Sequence, residues 1–140
     1  MSGNISAVRP VTFTPDGGIT FAYSVGRNIK ELLARHGDGR GVILLMVDTT
    51  IIVPGVMEAN QIEMAYIPGD EIFEDSPFDE EDQGHIRDCM TACTPSEYVL
   101  IVVLYQHGLN DEAAQEEVHI CVASRDFEEG RITVYDPRNN

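Results

Sequence analysis

Val11-Thr12-Phe13-Thr14 and Ile19-Thr20-Phe21-Ala22-Tyr23 alternate apolar and polar residues on either side of Pro15-Asp16-Gly17-Gly18. Period-two alternation about such a turn predicts a β-hairpin. The period then changes. Ile29, Leu32, Leu33 and His36 fall at i, i+3, i+4, i+7, one face of a helix over 28–36 that Gly37 stops. Gly41 to Val47 is apolar without interruption, as in a strand buried on both faces. Ile51-Ile52-Val53 and Ile62 to Ile67 predict two more strands, punctuated by Pro54-Gly55 and Pro68-Gly69-Asp70. Ser76-Pro77 predicts a helix start, with Ser76 as N-cap and Pro77 at the first helical position. Ile86, Cys89, Met90 and Cys93 form the apolar face of that helix, which Thr94-Pro95 ends. Tyr98 to Tyr105, Val118 to Ala123 and Arg131 to Tyr135 complete the strands, the last following a Glu128-Glu129-Gly130 turn.

The expected order is β-β-α-β-β-β-α-β-β-β. It defines an α+β fold with a mixed or antiparallel sheet packed by two helices, over residues 1–140 as one domain. The one internal seam the pattern offers is at 75–77. The 140 residues, 43% of them hydrophobic, suffice for a core without disulfides or metal.

Residues 9–75 resemble a β-grasp domain of the ubiquitin-like or sulfur-carrier type. The hairpin, the helix Asn28-Ile29-Lys30-Glu31-Leu32-Leu33, the strand from Gly41 and the turn Pro68-Gly69-Asp70 before Glu71-Ile72-Phe73 carry the likeness. The resemblance implies an interaction module. Sulfur carriers end in a Gly-Gly tail, whereas this half ends at Asp75-Ser76-Pro77 and the chain at Asp136-Pro137-Arg138-Asn139-Asn140, so carrier chemistry is not implied.

Charge changes the picture more than any motif. The formal net charge is −15. Such a charge opposes a nucleic-acid backbone or an anionic membrane as the main partner. Residues 1–40 hold five Lys and Arg against three acids, whereas 41–86 hold eleven acids and no Lys or Arg. Eight carboxylates crowd one segment: Asp70, Glu71, Glu74, Asp75, Asp79, Glu80, Glu81 and Asp82. A solvated helix start would use some of them; a surface shaped for a basic protein would use all. No apolar run reaches the length of a membrane span, and the first residues lack the apolar core of a signal peptide. Together with three cysteines, an odd number, this predicts reduced thiols and a cytoplasmic location.

Candidate chemistry is sparse. His85, Cys89 and Cys93 share a helix face, with His119 or Cys121 as possible fourth ligands. Yet i and i+8 stand about 12 Å apart along a helix axis, too far for one tetrahedral ion. The expectation is therefore core packing, with no metal and no cofactor. The Gly37–Gly41 run leads from helix to strand, the reverse of a phosphate-cradling loop. Asp48, Glu58, Glu63 and Asp70 lack the spacing of a calcium loop. His107, with Asp111 nearby and Cys121 as a nucleophile, is the one candidate catalytic region. The leading expectation is a small acidic, non-catalytic protein that binds and inhibits or adapts a basic partner, or mimics nucleic acid towards it. Its profile is similar to that of toxin-immunity proteins and phage or plasmid inhibitors of defence systems. A phage-type structural or assembly subunit, with homo-oligomerisation, is the alternative. A small enzyme or enzyme subunit using the His107/Cys121 region is the second alternative.

Overall fold

The computed structural model describes residues 5–6, 12–13, 18–21, 23–36, 41–53, 56–69, 71–74, 78–108, 114–126 and 132–135. In chain order the elements are β1 (Ile5–Ser6), β2 (Thr12–Phe13), β3 (Gly18–Phe21), α1 (Tyr23–His36), β4 (Gly41–Val53), β5 (Val56–Pro68), α2 (Glu80–Ala92), β6 (Glu97–His107), β7 (Gln115–Ser124) and β8 (Ile132–Tyr135). They form an α+β fold with a mixed five-stranded sheet, β1-β5-β4-β6-β7, and an antiparallel three-stranded sheet, β2-β3-β8. β4 and β6 are parallel, and the other pairs in the large sheet are antiparallel.

The long strands β4 and β6 alternate between two cores, as the period of two requires. Ile43, Leu45, Val47, Leu100, Val102 and Leu104 face one core, shared with Val25, Ile29 and Leu33 of α1 and with Ile19, Phe21, Ile132 and Val134 of the small sheet. Val42, Val99, Ile101 and Val103 face the other, shared with Ile86 and Cys89 of α2 and with Ile72 and Phe78 before it. The large sheet is thus a central layer, with α1 and the small sheet on one face and α2 on the other.

The predicted hairpin forms, pairing Thr12 with Thr20 and Phe13 with Ile19. β3 then pairs along its other edge with β8, and β4 pairs with β6. One strand from before residues 75–77 therefore pairs with one from after them in each sheet, β4 with β6 and β3 with β8, and the first half does not close on itself as a β-grasp module would. The seam residues lie outside the described ones, as does the Glu128-Glu129-Gly130 turn.

Several boundaries differ from the sequence reading. The runs 41–47 and 51–53 are one strand of 13 residues, β4, and 62–67 is the latter half of an equally long β5. Asp48-Thr49-Thr50 continues β4 because Thr49 turns inward, fully buried, and its hydroxyl donates to the Tyr105 carbonyl at 3.1 Å. The break in pattern marks a register shift against β5 between Asp48 and Thr49. α1 begins at Tyr23, not Asn28. α2 begins at Glu80, and its N-cap is Asp79 rather than Ser76: the Asp79 side chain accepts from the Asp82 N–H at 2.8 Å. A carboxylate satisfies a first-turn N–H and meets the positive end of the helix dipole, which explains the later start.

Candidate functional site: an acidic helix start above an open sheet face

The acidic segment divides by role. Asp79 is spent on the cap. Glu71, Glu74, Glu80 and Glu81 are exposed, as is Asp79, while Asp82 is half-buried. Asp70 and Asp75 lie outside the described residues. Glu71 and Glu74 sit on consecutive turns after β5, where Glu71 N–H donates to the Pro68 carbonyl at 2.9 Å and Glu74 N–H to the Glu71 carbonyl at 3.1 Å. Phe73 lies under the Arg87 guanidinium, 4.2 Å from the ring centroid. Ile72 and Phe78 are both buried against the sheet, and Gln83 Nε2 donates to the Phe78 carbonyl at 2.8 Å. The carboxylates therefore project from an anchored segment.

His107 finds an aspartate, though not one nearby in sequence. Its Nε2 lies 2.6 Å from Asp48 Oδ1 across the parallel β4–β6 pair. Asn60 Nδ2 donates to Thr50 Oγ1 at 2.8 Å and lies 3.5 Å from Asp48 Oδ2, at the register shift. Asp111 lies outside the described residues. Alternation places Asp48 and His107 on the face that carries α2.

Cys121 does not join this group. It lies on the opposite face, buried, with its thiol against the Leu100 carbonyl at 3.5 Å. Its β6 partner Leu100 precedes His107 by seven positions, about 23 Å of strand. No Cys–His nucleophile is assembled from these two. His119 is on Cys121's face as well, where its Nε2 lies 2.8 Å from Glu117 Oε1, and Gln106 Nε2 donates to Glu117 Oε2 at 2.7 Å.

On α2, His85 Nε2 is 3.3 Å from the Ile120 carbonyl of β7 and 3.9 Å from Cys89 Sγ. Cys89 is buried, as its place on the apolar face predicts, but Cys93, at the C-cap, is only half-buried. The helix ends at Ala92, and Cys93 still packs against the α2-side core from the C-cap, at partial burial. Among the described residues, no three His, Cys, Asp or Glu side chains are grouped so as to hold a metal ion.

Sequence reasoning missed the pairing of Asp48 with His107, because 59 positions separate them. The composition carried a wider signal: 41–68, 97–107 and 115–124, the spans of β4 to β7, contain no Lys or Arg. No helix among the described residues is long and apolar enough to cross a membrane. Compared with known proteins, the chain matches no family model, no curated protein and no solved structure.

Proposed function

We propose that this is a small acidic interaction protein that works without catalysis, binding a basic protein and inhibiting or adapting it in the cytoplasm. The observation that supports the reading is the anchored, exposed carboxylate group at the start of α2: Glu71, Glu74, Glu80 and Glu81, with Asp82 beside them. Such a field speeds encounter with a cationic surface and disfavours anionic partners, nucleic acid among them. Among the described residues of the group, Asp79 serves the fold as the N-cap of α2.

The test begins with a basic partner co-purified with the full chain and then isolated. Its association rate should fall as salt shrinks the Debye length from about 10 Å at 0.1 M to about 3 Å at 1 M. Replacing Glu80→Gln, Glu81→Gln and Asp82→Asn together, with Asp79 kept, should slow association while circular dichroism stays unchanged. An affinity indifferent to both treatments overturns the reading.

A further inference from the structure

We infer that the open half of the sheet face beside α2 is a docking lane for a cationic amphipathic helix of the partner. The inference rests on the acidic interaction reading and adds to it the place and the form of what binds.

The geometry begins with width. Strands lie about 4.8 Å apart and a helix with its side chains is about 10 Å across, so five strands offer room for two helices side by side. α2 takes one lane, packing on β6 and β7. The upper part of the other lane is filled by Ile72 and Phe73, which pack near Val42 and Ile67. Below them no described element packs over β4 and β5 on this face. Leu44 and Met46 are only partly buried, and their cross-strand neighbours Ala65 and Glu63 are exposed, as is Gln61 opposite Asp48. From Leu44 to Thr50 this lane runs about 20 Å, the length of roughly three to four helical turns.

Charge selects the occupant. The floor of the lane is apolar at Leu44, Met46 and Ala65, and its margins carry Asp48 and Glu63. Beyond Asp48, Glu58 stands opposite Thr50, and across the sheet Glu116 stands opposite Tyr105. No Lys or Arg occurs on any of these strands, and the one Arg of α2, Arg87, lies over Phe73. His107 is turned to Asp48. An apolar stripe flanked by Lys or Arg complements this pattern, and long cationic side chains can lay their stems on the floor while reaching the carboxylates. A sheet face presents side chains rather than backbone hydrogen-bonding groups, so a helix with an apolar face suits it better than an added strand. A second copy of the chain would bring the same acids against these and be repelled.

The probe is a synthetic Lys/Leu peptide of about four turns with Leu at i, i+3, i+4 and i+7. Its control is the same composition scrambled to erase the apolar face. Binding to the full-length chain is measured by calorimetry and mapped by amide hydrogen exchange. The expected result is binding of the amphipathic peptide with protection over β4 and β5. The double variant Glu63→Lys, Ala65→Lys should lose about tenfold or more in affinity, since both residues are exposed at the lane itself. Glu80→Gln with Glu81→Gln should cost no more than about threefold, a steering loss. Equal binding of the scrambled peptide, protection confined to α2, or an unaffected Glu63→Lys, Ala65→Lys variant overturns the lane. If at the same time the Glu80 and Glu81 changes abolish binding, the acidic reading survives without it. No binding by either peptide overturns the lane, as does a dimer of the chain alone that Ala65→Lys disperses.

Discussion

Gly41 opens β4 where there is no room for a side chain. A Cβ built there would run into the Ile67 carbonyl and stand 2.5 Å from Tyr66 Cζ and 2.6 Å from Tyr66 Oη. The tyrosine ring cannot easily yield, because His36 stacks on it at 4.1 Å between centroids and 10° between planes. Gly41→Ala should therefore destabilise by about 1–3 kcal/mol, the range for overpacking. Urea denaturation measures this, and a wild-type midpoint would show that ring and strand give way. Tyr98 carries a different constraint. Burial is the main cause that holds its phenol well above the ordinary tyrosine range, with Cys121 adding to the rise and Arg125 opposing it. A folded-state pKa above the unfolded value means the neutral form is favoured by folding. The contribution is whole below about pH 10 and is lost as pH rises beyond it. Absorbance titration should find one tyrosine ionising only as the protein unfolds, and Tyr98→Phe should remove that late phase and soften the alkaline loss of stability. A full set of tyrosines ionising together before unfolding would contradict the burial.

α2 shows how one element can serve both folding and recognition. Asp79 accepts from the Asp82 N–H, so Asp79→Ala should cost about 0.5–2 kcal/mol, the usual worth of an N-cap. Gly84 stands mid-helix with nothing within 4 Å of an added Cβ, so Gly84→Ala should stabilise by about 0.4–1 kcal/mol. Thermal melts of the two single variants should shift in opposite directions, and a stabilising Asp79→Ala would assign the helix start elsewhere. The sequence showed this helix through Ile86 and Cys89 but misplaced its first turn, since Ser76-Pro77 and Asp79 are both good starts and only the path of Phe78 into the core decides between them. The strands were legible wherever alternation or an apolar run marked them. The join of 41–47 to 51–53 was not, because Asp48 and Thr50 face the open side while Thr49 is buried. Local pattern reads as a break what cross-strand pairing makes continuous. The acids of the proposed site were plain in the sequence. The lane was not, because it depends on which strands α2 leaves uncovered.

The whole molecule sets its charge against its fold. A net charge of −15 stores self-repulsion in the compact state, and the densest share lies around the start of α2. Position decides what neutralising each acid does. Glu80 and Glu81 occupy the first turn, where the helix dipole stabilises a negative charge by about 0.3–1 kcal/mol, so removing them trades that gain against relieved repulsion and should change stability little. Glu71 and Glu74 lie outside the helix and are exposed, so they share the repulsion without the dipole. Glu71→Gln with Glu74→Gln should raise stability by a few tenths of a kcal/mol, within about 0.5 for each surface change. Screening makes the same point from outside. Sodium chloride raised toward 1 M, where the Debye length is about 3 Å, should stabilise the wild type against urea, an uncharged denaturant. The Glu71, Glu74 variant should gain less from salt, having less repulsion left to screen. If stability instead falls with salt, or the double variant is the weaker protein at low salt, then these carboxylates hold the fold through attractive contacts. The α2 start would then be structural rather than a surface kept charged for a partner.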